Sequence, residues 1–388
     1  MVVHSHYPVG EPRAEREALV AVEAGYTVDV ICLRLPDEAA AETVDQIGIR
    51  RLPIRHLRGA GVVKAMLEYV GFATRSTLAV LSIHRRERID IVYVHAPPDF
   101  LIMAALIPRL LGSRVVLDIH DLSPHMFNVR FGGGLLGRQV ERILRLVERT
   151  SCALAHRVIT VHEPYREELI AHGVPPEKIS VVMNSPAADA VDVARAARAN
   201  GSSPDRFIVA YHGTVTHWYG VDLIVEAIAL LEDRIPQIGA LILGEGDALS
   251  SAEELARRLR VTPRIDFSDT FVSHTEALAR VATASCGVVP NRPTPLNRFA
   301  LSSKLLEYIG LEIPAVVARL ETLEAHFGSD EVTFFEPGDV HSLAGAIAWV
   351  AEHPTEARAK AMRAKARAQE YSWSESRARL LEALSSVT

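Results

Sequence analysis

The sequence has little of what would take it outside the ordinary α/β proteins. Cysteine is nearly absent, with Cys32, Cys152 and Cys286 the only three in 388 residues. They are odd in number, far apart and set in apolar surroundings. A disulfide framework and a cysteine zinc site are therefore not expected, and a reducing cytoplasm is the expected compartment. No window approaches the roughly 18 uncharged apolar residues that a membrane span needs. The opening Met1-Val2-Val3-His4 carries no basic region followed by a cleavable apolar stretch, so no export signal is expected. Charge of one sign is lacking too. Residues 1–184 carry 22 basic and 21 acidic side chains, and residues 185–388 carry 20 and 27. A nucleic-acid binder needs a stronger basic stripe than this, so nucleic acid is not expected as a partner.

What remains is a repeated alternation of short β-branched runs with longer amphipathic segments. Strands are expected at 28–33, 89–95, 115–120, 158–161 and 179–183. Helices are expected near 11–24, 61–83, 98–111, 133–155 and 163–172. About 20 residues from Ser185 break the pattern, with Gly201-Ser202-Ser203-Pro204 a plain loop signal. The alternation restarts at Phe207 and continues through 240–243, 265–267, 287–289 and 315–317. Such alternation implies βαβ units and parallel sheets. The expected fold is therefore α/β, with two Rossmann-like domains facing a cleft and a linker near 185–205. In open α/β sheets ligands bind beyond the carboxyl ends of strands, so the strand-to-helix loops are where chemistry is sought.

Three such loops lie in the second half. Tyr211-His212-Gly213-Thr214 through Gly220 places glycines where backbone amides can approach a ligand, and the helix start after it favours a phosphate. Leu243-Gly244-Glu245-Gly246 ends a strand with Gly-x-Gly. It lacks a third glycine and a following acidic residue, which disfavours a dinucleotide cofactor. Pro290-Asn291-Arg292-Pro293 leads to Ser302-Ser303-Lys304-Leu305-Leu306-Glu307. Two serines and a lysine at a helix start suit a diphosphate, and Glu307, one turn on, could accept two vicinal ribose hydroxyls. The alternative is a capped helix with a surface Lys–Glu pair.

The first half offers two loops. Val116 to His125 delivers His120 and Asp121 to a strand's carboxyl end. His120 is either a structural histidine or a group that donates to a sugar hydroxyl or a leaving phosphate. No metal-ligand spacing accompanies it, so zinc is not expected. His4 to Arg13 follows the first strand and precedes a helix with Pro12 in its first turn. His6, Arg13 and Asp121 are the candidate acceptor-side residues; Arg13 could reach an anionic acceptor or the donor phosphates, with an ordinary N-terminal helix start as the alternative.

The ordered set of these motifs resembles the retaining glycosyltransferases of family 4, which have the GT-B architecture. It includes Pro-Arg-Ala-Glu-Arg-Glu at the first helix, Asp118-Ile119-His120-Asp121 and Val158-Ile159-Thr160-Val161-His162. It continues with Tyr211-His212-Gly213-Thr214, Gly244-Glu245-Gly246, Lys304 to Tyr308 and the final Tyr371-Ser372-Trp373. The resemblance implies an acceptor-binding domain over 1–184, completed by a terminal helix near 371–388 that crosses back to it. It implies a nucleotide-sugar-binding domain over 205–370. The donor implied is a UDP- or GDP-sugar bound as substrate, with no cofactor and no metal. Glu307 would hold the ribose. Gly213, Thr214, Ser302, Ser303 and Lys304 would lie beside the diphosphate, with Gly244, Gly246 and Leu305 also in the donor site and Arg292 or Lys304 supplying positive charge. His120 and Lys304 would be catalytic. Phe299 stands where the family's first of two spaced glutamates is expected.

The implied function is retaining transfer of a hexose-type sugar to a glycan, glycolipid or lipid-linked hydroxyl, in cell-surface polysaccharide or glycoconjugate synthesis. A GT-B sugar-nucleotide epimerase would share the donor site but turn over without an acceptor. A two-domain solute-binding protein would share the paired halves but needs an export signal. Arg50, Arg51, Arg55 and Arg58 precede the apolar run 62–67, and Arg138, Arg142 and Arg145 mark the helix over 135–147. An anionic membrane surface is therefore a further expected partner, with solvated core-helix faces as the alternative.

Overall fold

Runs such as Val30–Leu33 and Ile238–Leu243 are apolar at successive positions because both faces of their sheets are covered, as parallel sheets require. In the computed structural model the described residues are all but 9–10, 55–61, 132–133, 186–187, 199–205, 268–273 and 388. The chain divides into one unit of Met1–Asn184 with Ser374–Thr388, and a second of Ser185–Trp373.

The first unit holds β1 (Val2–His6), β2 (Val28–Leu33), β3 (Ala41–Val44), β4 (Ile47–Leu52), β5 (Ile91–Ala96), β6 (Arg114–Ile119), β7 (Arg157–Thr160) and β8 (Ile179–Val181). They form one sheet in the order β3-β4-β2-β1-β5-β6-β7-β8, parallel except for the β3–β4 hairpin. That hairpin carries no sequence signal of the usual kind. Its turn residues Asp45 and Gln46 both take positive φ, +50° and +65°, where Asn-Gly would be expected. The terminal helix Trp373–Ser385 lies largely in this unit, where Arg377 pairs with Glu23 and the Arg157 guanidinium donates to Ser386 Oγ.

The second unit holds β9 (Phe207–His212), β10 (Ile238–Leu243), β11 (Ile265–Phe267), β12 (Cys286–Val289), β13 (Ala315–Ala318) and β14 (Thr333–Phe335). The order β11-β10-β9-β12-β13-β14 is all parallel, which is the doubly wound 3-2-1-4-5-6 arrangement. Strand order reverses between β9 and β12, so a ligand crevice is expected beyond the carboxyl ends of those two strands. The Gly213 loop and the Pro290 loop open there.

The segment after Ser185 departs from the linker expected of it. Ala188–Arg198 is a helix, and its Val191 and Ala194 are buried in the second unit's core. Alanine's helix propensity outweighs the scarcity of bulky apolar residues in this stretch. Gly201 to Pro204 lies outside the described residues, as do Arg55 and Arg58.

The helices Val62–Arg86, Leu106–Leu110 and Gly134–Leu154 follow β4, β5 and β6, and right-handed crossovers put all three on one face of the first sheet. Their outer side leaves Leu67, Leu78, Leu110, Leu111, Ile143 and Leu146 exposed. Arg75, Arg85, Arg86, Arg138, Arg142 and Arg149 are exposed on the same helices, and no acidic side chain is exposed on them among the described residues. No helix of the described residues is long and apolar enough to cross a membrane. A cavity of about 390 Å³ opens at the other end of this sheet, lined by Val28, Asp29, Ile91 and Val92 at the amino ends of β2 and β5. Glu17 and Tyr93 line it as well.

Candidate active site

In the second unit three loops converge beyond β9, β10 and β12. Two of them are zipped together by backbone hydrogen bonds. Gly213 N donates to Leu243 O at 2.8 Å, and Val215 N donates to Glu245 O at 2.9 Å. A Cβ on Gly244 would lie 1.9 Å from Gly213 O, so no side chain fits there. Gly213 itself takes φ +102° and would bring a Cβ to 2.9 Å from Lys304 Cε. The glycines thus let two loops and a lysine share one small space.

Helix Ser303–Gly310 begins beside this knot with Ser302 as its N-cap, whose side chain makes no cap hydrogen bond. The first amides of a helix have no intrahelical acceptor and favour an anion. Lys304 sits in this first turn. Its Nζ lies 5.3 Å from the Tyr211 ring centre and 4.8 Å from that of Tyr219. Burial lowers its pKa from 10.5 to about 8, partly countered by Glu307. A buried ammonium held between two rings, with Glu307 only partly offsetting its burial, is short of counter-charge, and a diphosphate would supply it. Nucleotide diphosphate binding between pH 8 and 10 is therefore expected to take up a proton, and its affinity to fall as pH rises through that window. Calorimetry in buffers of different ionisation enthalpy measures this, and no proton uptake at pH 9 would remove Lys304 from the phosphate site.

Glu307, one turn after Lys304, is buried. Burial by itself raises a carboxyl pKa, but the attraction and hydrogen bond of His212, then those of His274, outweigh it and bring Glu307 to about 2. The carboxylate is thus an ionised acceptor throughout the physiological range. His212 ends β9, and its second ring nitrogen lies 3.3 Å from the Tyr308 hydroxyl.

In the first unit a second cluster forms beyond β1, β5 and β6. Arg13 donates from Nε and Nη2 to both oxygens of Asp118, at 3.0 Å each, and from Nη1 to Val182 O at 2.8 Å. Its Nε also lies 3.1 Å from Glu17. Two buried carboxylates share one guanidinium. Asp118, bonded by Arg13 and His120, stays well below the usual carboxylate range. Burial and the neighbouring Asp118 push Glu17 up. The Tyr93 hydroxyl lies 2.9 Å from Glu17 and 3.1 Å from Asp118.

His120 faces Asp118 Oδ2 through Nε2 at 3.1 Å and Glu11 through Nδ1 at 3.7 Å. Burial opposes its charge, but Asp118 and then Glu11 outweigh it and raise the pKa to about 9. His120 is therefore an imidazolium at neutral pH, a donor and a positive charge rather than a base. His95 is held neutral, chiefly by burial, and its Nδ1 lies 3.1 Å from His120 Nε2. Because the folded pKa lies above the ordinary 6.5, the stability His120 contributes is complete below pH 6.5 and lost as pH rises through 9. Thermal unfolding of wild type against His120→Gln should show its largest gap near pH 6 and a closing gap by pH 10. A gap independent of pH would contradict the charge assignment.

Among the described residues, His95, Asp118 and His120 also bring three ligand-type atoms within 4.8 Å of one another. Asp118 Oδ2 already accepts from Arg13 Nε, and the guanidinium beside it would repel a cation. The cluster is built as a hydrogen-bonded charge network.

Family models account for nearly all of the sequence. Residues 11–185 match the Glycosyl transferase 4-like domain, and residues 192–369 match Glycosyl transferases group 1. The chain is a glycosyltransferase of the GT-B type. Sucrose-phosphate synthase from Thermosynechococcus elongatus superposes with a TM-score of 0.76 at 18% identity, over 96% of this chain and 92% of that one. HepE from Anabaena, solved with UDP, gives 0.70 at 17% identity over 99% and 98%. The catalytic domain of starch synthase IV from Arabidopsis thaliana, bound to ADP and acarbose, gives 0.68 at 13% identity over 100% and 98%. At these identities the likeness is one of fold. No curated protein matches the sequence.

Within this glycosyltransferase, Gly213, Thr214, Ser302, Ser303, Lys304 and Glu307 come together, and His120 and Asp121 occupy one loop in the first unit. The structure gives several of the expected residues other partners, and it buries Arg13. Arg13 is buried among Asp118, Glu17 and Val182 O, so its charge is spent inside the fold rather than offered to an acceptor or a phosphate. Arg292 pairs with Asp222 and donates to His217 O at 3.0 Å, which ties the Pro290 loop to the Gly213 loop and the helix that follows it. The Leu305 side chain belongs to the core, and its amide donates to Ser302 O at 3.1 Å. Gly244 and Gly246 are needed for the close approach of two loops. Asp121 accepts from the Tyr165 hydroxyl at 3.4 Å. His6 is the last residue of β1 and half-buried. Phe299 ends a short helix with the Arg298 guanidinium 5.1 Å from its ring centre. Sequence reasoning missed His212 and His274. A histidine ending β9 was visible, but its pairing with Glu307, 95 positions away, was not.

Proposed function

We propose that the protein transfers a hexose-type sugar from a UDP- or GDP-sugar to a hydroxyl of a glycan, glycolipid or lipid-linked acceptor, with retention at the anomeric carbon. The observation that carries this reading is the meeting of Lys304, ionised Glu307 and the Gly213 loop at the start of helix Ser303–Gly310. Lys304 and the helix amides take the diphosphate, Glu307 takes the ribose, and no metal or cofactor is required. The acceptor attacks from the face that the nucleotide leaves. The departing diphosphate, held by Lys304, takes the acceptor's proton, and His120 is the first unit's proposed catalytic group, as a positive charge rather than a base. The protein contributes positioning and preorganised charge rather than a covalent nucleophile.

A thermal-shift panel of UDP-, GDP- and ADP-sugars tests the donor. A donor at 100 times its Kd should stabilise by about 2.7 kcal/mol. No shift with any of them would overturn the nucleotide-sugar reading. Incubation of the stabilising donor without acceptor then separates transfer from epimerisation, since a new sugar nucleotide would form only in the second case.

The exposed apolar side chains and arginines on the helices Val62–Arg86, Leu106–Leu110 and Gly134–Leu154 support a place on the anionic cytoplasmic face of a membrane. That location suits lipid-linked acceptors and cell-surface polysaccharide synthesis. Liposomes containing anionic lipid should pellet the protein at low salt and less so at moderate salt, while absence of pelleting at low salt would rule the location out.

A further inference from the structure

Both oxygens of Glu307 are already taken. Oε2 is bonded by His212 Nε2, and Oε1 is bonded by His274 Nε2 at 2.9 Å. The two histidines differ in setting. The His212 side chain is 6% exposed, whereas that of His274 is 48% exposed.

His212 donates to Glu307 whichever way its proton network is arranged. The Tyr308 hydroxyl lies 3.3 Å from both His212 Nδ1 and Ala210 O. If the hydroxyl donates to Nδ1, the imidazole is neutral with its proton on Nε2. If it donates to Ala210 O, the Glu307 carboxylate, which is ionised and can only accept, still requires the proton on Nε2. In each case Nε2–H points at the carboxylate. His212 is therefore a fixed support.

His274 is the first residue of helix His274–Val281 and stands on the solvent side of the same carboxylate. A diol arriving from solvent meets its ring before it meets Oε1. We propose that His274 occupies the ribose diol's place on Glu307 in the empty enzyme and is displaced by the nucleotide, while His212 holds the carboxylate oriented throughout. This rests on the reading of Glu307 as the ribose acceptor. The nucleotide then exchanges one hydrogen bond for two, and the carboxylate is never left buried without a donor, a state that would be costly.

The test is titration calorimetry of the full chain with UDP, GDP and inorganic pyrophosphate, which lacks a ribose. His274→Ala should tighten the preferred nucleotide about fivefold, the equivalent of one exchanged hydrogen bond, and leave pyrophosphate unchanged. His212→Ala should weaken the nucleotide by about tenfold, and His212→Asn, which restores a donor, should recover part of it. Nucleotide binding that is unchanged or weaker in His274→Ala, or a gain shared by pyrophosphate, overturns the displacement. Glu307→Gln tests the underlying reading separately. Unchanged nucleotide binding in that variant would remove the ribose role, and the displacement with it. A loss there with no gain in His274→Ala would leave the ribose role standing and sink the displacement alone.

Discussion

Lys304→Ala is expected to lower kcat at saturating donor by about 10²–10³-fold, the range typical of removing one preorganised charge partner from a developing anion. The expectation follows from the placement of Nζ between Tyr211 and Tyr219, at the start of helix Ser303–Gly310, in a spot that depresses its pKa to about 8. An ammonium destabilised in the empty site gains most when the leaving diphosphate develops charge. Because that charge is largest in the transition state, the loss should fall on kcat more than on KM. Lys304→Arg should not restore full activity. A guanidinium is larger and planar, and Gly213 leaves little room beside Lys304 Cε. Initial rates over a range of donor concentrations decide the matter, and a kcat within twofold of wild type would remove Lys304 from catalysis.

Arg13→Ala is expected to destabilise the first unit by about 3–5 kcal/mol, as breaking a buried ion pair does when one partner is left uncompensated. Asp118 and Glu17 would keep a buried negative charge with Tyr93 as their remaining close donor besides the histidines. The double variant Arg13→Met with Asp118→Leu should recover much of the loss, because replacing a whole buried pair by apolar groups is often neutral. In that variant His120 loses Asp118, and its titration should move down from about 9. Denaturant unfolding and the titration of the His120 ring by NMR are the two readouts. An Arg13→Ala variant as stable as wild type would mean that the ion pair merely offsets its own desolvation.

Much of the architecture was legible in the residues. The parallel strands Val28–Leu33 and Arg114–Ile119 and the helix Gly134–Leu154 fall within two residues of where apolar periodicity places them. The β3–β4 hairpin was not legible, because Asp45-Gln46 lacks glycine and Ala41–Val44 is exposed along its whole length, leaving no alternation to read. The helix Ala188–Arg198 was hidden by its composition, since small residues bury a helix face without a strong apolar stripe.

The second unit's site was half legible for a similar reason. Ser302, Ser303, Lys304 and Glu307 are neighbours along one helix start, so local spacing alone unites them. His212, His274 and Glu307 meet only because β9 and two helices converge, and no spacing along the chain encodes that. The fate of Arg13 and Arg292 shows the limit most plainly. The sequence determined that two cationic side chains follow strands of the sheets, Arg292 in a loop and Arg13 at the start of a helix. Only the folded chain decided that Asp118 and Asp222 claim them first, because a charge serves whichever opposite charge packing brings within about 3 Å, and that partner can lie a hundred residues away.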